Sequence, residues 1–214
     1  MREERITLAG HELVIACPDD PESLIDEGRF EEDEFLPYWA ELWPSGLALA
    51  RHVAGLDLVG QSVLELGCGL ALPSFAAVIA GADVLATDWA PEAIELMVAN
   101  AARNGVHIET ALFDWQDAAP PPGAPFDLVV AADVLYEERS ALPLLRLLDD
   151  AVAPGGEALI ADPGRRHAPA FFDRALARDW SIDQIAVDGL PAGGIARLRR
   201  RDPGRQAEPV TGGG

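Results

Sequence analysis

Ser62-Val-Leu-Glu-Leu-Gly-Cys-Gly69 governs how the rest of the chain is read. It is an apolar run that ends in two glycines, and residues 71–80 after it are Ala-rich at helical spacing. A strand turning sharply into a helix opens a βα unit. The alternation then repeats. Residues 83–88 read as a second strand, 91–104 as a helix closed by Gly105, and 107–113 as a third strand. Residues 126–133 read as a fourth strand, apolar on both faces, and 140–152 as a helix stopped by Pro154-Gly-Gly156. A fifth strand is expected at 157–162 and a helix at 167–178. Residues 181–187 and 194–201 are separated only by a Gly- and Pro-bearing loop, so they should pair as an antiparallel hairpin. The expected fold is α/β: a doubly wound, Rossmann-like seven-strand sheet, mostly parallel, with an antiparallel C-terminal edge hairpin. Upstream, 44–53 read as a helix with Pro in its first turn, and 8–17 as a short strand or hairpin.

Composition bounds the function. The chain has 214 residues, 49% of them apolar, which is ample for one core and excludes wholesale disorder. Acids number 36 and bases 16, a net charge of −20. Phosphate backbones and anionic membranes should repel such a chain, so neither nucleic acid nor membrane is expected as a partner. Every base is Arg; the absence of Lys removes Schiff-base chemistry and any P-loop. Met1-Arg-Glu-Glu-Arg-Ile6 is charged rather than signal-like, and no apolar run reaches the ~20 residues of a membrane span. A cytoplasmic location, with Cys17 and Cys68 as free thiols, is the expectation. The four histidines are scattered, and no metal site is expected. Residues 1–36 read as an acidic N-terminal extension, in which Glu31-Glu-Asp-Glu34 is a solvated arm or, alternatively, a docking surface for a basic partner. The polar, Gly- and Pro-rich stretch 202–214 reads as a disordered tail.

The chemistry should lie at the strand ends, where doubly wound sheets bind ligands. Gly67 and Gly69 let a ligand approach the backbone. Asp88 closes the next strand about 20 residues on, where its carboxylate could accept from a ribose diol. The third strand also ends in an acid and an aromatic, Asp114-Trp115. A dinucleotide fingerprint would place a third Gly three residues after Gly69, but Leu72 and Pro73 stand there. Glu65 would repel phosphate and pair with a cation. A nucleoside with cationic groups and no phosphate, such as S-adenosylmethionine, meets both conditions. A nicotinamide-dependent oxidoreductase and a non-catalytic cofactor-binding protein are the competing classes. Trp43 and Trp115 are candidate pocket walls or core aromatics, Trp39 reads as packing, and Ala132 is small where a strand end would skirt the ligand. Asp133 and Tyr136 lie three apart at the end of the fourth strand.

Val63-Leu-Glu-Leu-Gly-Cys-Gly69 and Asp88 resemble motif I and the post-I acid of class I, seven-strand, S-adenosylmethionine-dependent methyltransferases. Asp133-Val-Leu-Tyr136 is similar to the acid-x-x-aromatic motif of the family 16 protein methyltransferases. Pro37-Tyr-Trp-Ala-Glu-Leu-Trp-Pro-Ser-Gly46 and Asp162-Pro-Gly-Arg165 resemble the electron-transfer flavoprotein β-subunit lysine methyltransferase group. The resemblance covers residues 37–201, the expected methyltransferase domain. It implies S-adenosylmethionine as cofactor, held by Trp43, Glu65, Gly67, Gly69, Asp88, Trp89, Asp114, Trp115 and Ala132. It implies Asp133 and Tyr136 as catalytic residues, and a substrate-side role for Asp162 or Arg165, which otherwise read as a turn. The acceptor it implies is a protein lysine, with the electron-transfer flavoprotein β subunit as first candidate. A small-molecule N- or O-methyltransferase on the same fold is the alternative.

Overall fold

The computed structural model describes residues 1–20, 38–116 and 119–201. The acidic run 31–34, Pro37 and the tail 202–214 lie outside the described residues. An antiparallel hairpin comes first, β1 (Arg2–Leu8) and β2 (His11–Cys17). After α1 (Pro44–Val53) follow β3 (Ser62–Leu66), α2 (Leu72–Ile79), β4 (Asp83–Asp88), α3 (Pro91–Arg103) and β5 (Glu109–Leu112). Next come β6 (Phe126–Ala132), α4 (Ala141–Ala151), β7 (Val152–Asp162), α5 (Ala168–Leu176), β8 (Trp180–Ile185) and β9 (Gly194–Arg200).

Strands β3 to β9 form one sheet in the order β5-β4-β3-β6-β7-β9-β8. The five strands from β5 to β7 are parallel, and β9 and β8 close the far edge antiparallel. This is the expected doubly wound sheet with its edge hairpin. From β3 the chain steps outward to β4 and β5, then returns to the other side of β3 as β6. The strand order therefore reverses between β3 and β6, and a crevice opens beyond their carboxyl ends.

The two-residue period of each strand divides the sheet between two cores. Val63, Ala86, Leu128 and Leu159 face a core with Leu49 of α1, Phe75 of α2 and Met97 of α3. Leu64, Leu85, Val129 and Ile160 face the other, with Leu144 of α4 and Phe171 of α5. Burying both faces is why β6 reads as a continuous apolar run rather than an alternation.

Strand bounds differ from expectation at β5, β7 and β8, the last running Trp180–Ile185. β5 is shorter, at Glu109–Leu112, because it is an edge strand paired on one side only. β7 starts at Val152, directly after α4: Val152 pairs with Phe126, and the register then shifts before Glu157 pairs with Leu128. The N-terminal hairpin begins at Arg2, and Leu8, Leu13, Ile15 and Cys17 join the core beside α3. Asn104 exchanges bonds with Val14 (N–H to Oδ1 2.8 Å, Nδ2 to carbonyl 2.9 Å), and Asn100 does the same with Ala16 (2.8 and 3.1 Å). Two side-chain amides one helical turn apart thus serve the free edge of β2 as a partner strand would. Among the described residues no helix is long and apolar enough to cross a membrane, and no group of three or more potential ligands could hold a metal ion.

Candidate active site

A cavity of about 370 Å³ occupies the crevice at the β3–β6 switch point. The turn from β3 to α2 forms its floor. Gly67 and Gly69 take φ of +61° and +49°. A Cβ on Gly67 would come within 3.1 Å of the Trp115 ring, and one on Gly69 within 3.0 Å of the Trp39 carbonyl oxygen. Glycine is required here both by backbone conformation and by the walls that close on it.

Glu65 stands on the α2 side of β3 and is 2% exposed. The backbone N–H of Ser74, in the first turn of α2, donates to its Oε2 at 2.9 Å, and the Ser74 hydroxyl donates to the same oxygen. A carboxylate at a helix N-terminus meets unpaired N–H groups and the positive end of the dipole. Burial outweighs this help and pushes the Glu65 carboxyl up to about 8. Asp88, at the end of β4, accepts from Gly69 N–H at 2.9 Å and from Ala90 N–H at 3.0 Å. Those bonds tie the glycine turn to the neighbouring strand. Burial raises its carboxyl as well, against the backbone donors that lower it.

Asp133 follows β6 with φ of +59°, a left-handed conformation uncommon outside glycine. Its backbone N–H donates to Ala161 at 3.0 Å, which anchors the strand end to β7. Its carboxylate is divided in its partners. Oδ1 receives Arg165 Nε at 2.9 Å and Nη2 at 2.6 Å. Oδ2 is buried and has no hydrogen-bond partner among the described residues. A buried acceptor left open beside a cavity is a feature found at sites of function. Asp162, at the end of β7, shapes the loop carrying Arg165 by accepting from Gly164 N–H at 2.8 Å and Arg165 N–H at 2.7 Å.

Aromatic rings build the rim. Tyr38 lies edge-on to Trp43 with centroids 6.0 Å apart and is tilted against Tyr136 at 5.9 Å. The Arg165 guanidinium sits 5.8 Å from the Trp43 ring centre, and Trp43 Nε1 donates to the Tyr38 carbonyl at 2.8 Å. Burial and the neighbouring Glu137 carboxylate push the Tyr136 phenol up to about 12. Tyr136 is thus a neutral phenol at any physiological pH, a wall and a hydrogen-bonding group rather than a base.

Of the residues expected at the site, Trp43, Glu65, Gly67, Gly69, Asp88, Trp89, Trp115, Ala132, Asp133 and Tyr136 all line this cavity. Asp114 does not: its carboxylate turns back to accept from the Gln116 N–H at 2.8 Å, closing a local turn. Trp39 lines the cavity in addition to packing. Residue-level reading missed Tyr38 and Glu41, which precede α1 and carry no strand-end signal, and the grip of Arg165 on Asp133, 32 residues apart in sequence. Among the described lining residues, acids outnumber bases five to one. Such a site suits a ligand with hydroxyls and positive charge, and repels phosphate.

A family model described as lysine methyltransferase matches residues 29–178. The electron transfer flavoprotein beta subunit lysine methyltransferase of Rattus norvegicus is 38% identical over 159 residues, covering 72% of this chain and 60% of that protein. Its counterpart from Danio rerio is 35% identical over 159 residues, covering 72% and 59%. The chain thus spans about 60% of the length of these relatives. The crystal structure of a ribosomal protein L11 methylase from Lactobacillus delbrueckii subsp. bulgaricus shares the fold with a TM-score of 0.60 at 22% identity, covering 72% of this chain and 77% of that one. The chain belongs to the lysine methyltransferase family.

Proposed function

We propose that this protein is an S-adenosylmethionine-dependent protein-lysine N-methyltransferase, acting on the electron transfer flavoprotein β subunit or a protein like it. The observation that carries this reading is that Asp133, whose buried Oδ2 has no hydrogen-bond partner among the described residues, lines the same cavity as Glu65 and Asp88. The residues fit the cofactor. Glu65 and Asp88 are buried carboxylates placed for an ammonium and a ribose diol, and Trp115 Nε1 is a buried N–H with no partner among the described residues. The glycine floor leaves room for a nucleoside that a Cβ would obstruct. S-adenosylmethionine supplies, when bound, a methyl carbon on a sulfonium that an amine lone pair can take as the C–S bond breaks and its electron pair passes to sulfur.

Asp133 accepts a hydrogen bond from the acceptor amine through Oδ2 and so directs its lone pair toward the cofactor end of the cavity. Tyr136, Tyr38 and Trp43 confine the alkyl stem, which keeps water from the reacting nitrogen. No strong base acts. The acceleration comes from alignment and a dry, fixed acceptor, which together can supply several kcal/mol. The strongly acidic surface draws a basic protein acceptor.

The test is incubation with methyl-labelled S-adenosylmethionine and purified electron transfer flavoprotein, with the modified residue located by mass spectrometry. Label on a lysine of the β subunit is the expected result. Label recovered only in small molecules from a cell extract would replace the protein acceptor with a metabolite. Asp133→Ala should cut turnover at least ~100-fold, the scale of losing one alignment contact, while calorimetry finds cofactor affinity within about threefold of wild type. Retained turnover in that variant removes Asp133 from the chemistry.

A further inference from the structure

Among the described residues, six Asp, Glu or Arg side chains line the cavity, and five are acids: Glu41, Glu65, Asp88, Asp133 and Glu137. The sixth is Arg165. An opposite charge within about 4–6 Å raises the pKa of an amine by roughly 1–3 units. A lysine amine starts near 10.4 in any case. Left to its carboxylates, the acceptor site would hold lysine as an ammonium, which has no lone pair to give.

Arg165 stands where that matters. Two of its N–H donors close on one oxygen of Asp133 and leave the other, which is buried, without a partner among the described residues. Its backbone is fixed by Asp162 at the end of β7, and its guanidinium lies over Trp43. The other described residues that line the cavity add no positive charge. Tyr38 and Glu41 come from the segment before α1, Glu65 from β3 and Asp88 from β4. After β6, Tyr136 is a neutral phenol, and Glu137 is paired with Arg139 at the surface.

We propose that Arg165 is a positioning residue that neutralises Asp133, so that the acceptor pocket takes a lysine side chain as the free amine and offers it Oδ2. This deepens the lysine methyltransferase reading above and rests on it. The lysine proton goes to solvent as the amine seats. The nitrogen lone pair then forms the N–C bond while the C–S electron pair leaves with sulfur, and the methylated lysine departs as an ammonium, so that one proton is released per methyl transferred. A guanidinium never gives up its own proton at working pH, so Arg165 sets the charge of the site without entering the proton transfer.

Calorimetry reads the proton directly. The electron transfer flavoprotein β subunit is titrated into the protein near pH 7.5, with S-adenosylhomocysteine saturating, in buffers of different ionisation enthalpy. Protons that Glu65 and Asp88 yield to that ligand have then already left. The wild type should release about one proton per acceptor bound. Arg165→Gln should release less than half as many. Its kcat near pH 7.5 should fall about tenfold or more, and its kcat–pH profile should move up by about one unit or more, with KM changing less. Arg165→Lys keeps the charge and should restore both the proton release and the profile. Equal release by wild type and Arg165→Gln, or no rescue by Arg165→Lys, overturns this role. A separate titration of S-adenosylhomocysteine into the wild type tests the underlying reading: no binding there overturns that reading instead.

Discussion

Glu65 shows what a single residue gives up for function. Its carboxyl is raised from 4.5 to about 8 by burial, despite two bonds from Ser74. A folded-state pKa above the unfolded one means that the folded chain binds more protons between those values. The contribution of Glu65 to stability is therefore full below about 4.5 and is lost as the pH rises toward about 8. A bound ammonium reverses this by favouring the carboxylate. We expect Glu65→Gln to raise the melting temperature of the ligand-free protein, by more at pH 8 than at pH 5, in thermal unfolding scans across that range. The same variant should bind S-adenosylmethionine roughly 10–100-fold more weakly, the scale of a hydrogen bond to a charged group. For the wild type, cofactor affinity should rise from about pH 6 to 8. A flat affinity profile would place the ligand's ammonium elsewhere. Asp114, the acid just after β5, does not line the cavity. It has the expected residue type and position, but its side chain closes a turn with Gln116.

At the scale of elements, the turn from β3 into α2 carries most of the site's geometry. Gly67, Gly69 and Ala71 all take left-handed conformations within five residues. Leu66, Gly67 and Cys68 could be read from sequence as a strand ending in a tight turn; the walls that press on it could not. Gly69→Ala adds a Cβ 3.0 Å from the Trp39 carbonyl oxygen, at a φ that costs an L-residue about 1–2 kcal/mol. We expect it to lower the melting temperature by several degrees and to weaken cofactor binding more than tenfold, measured by calorimetry on the folded variant. The hairpin is a second case. Its turn uses Ala9 at φ +47° where Asn would be the usual signal, so the sequence shows it poorly. Its free edge is served by Asn100 and Asn104 from α3, a pairing across 84 and 90 residues that no local pattern records.

For the whole molecule, the excess of 36 acids over 16 bases acts at long range. It should speed encounter with a basic acceptor and fade with screening. Raising ionic strength from about 0.02 to 0.2 M should lower kcat/KM for a protein acceptor roughly tenfold and leave kcat nearly unchanged, in steady-state assays across that range. Salt-independent kcat/KM would confine recognition to the cavity rim. The sequence by itself determined the order of strands and helices, the parallel core and its antiparallel edge, because apolar period and glycine placement are local properties that burial must satisfy. It also marked Glu65, Asp88 and Asp133 as strand-end acids. Tertiary structure alone decided which oxygen of Asp133 stays open and that Arg165 claims the other. It also decided that Tyr38 meets Tyr136 and that Asn100 and Asn104 complete a strand edge. Those are contacts between side chains far apart along the chain, set by how the layers pack, and the energy that selects them does not exist until the sheet has formed.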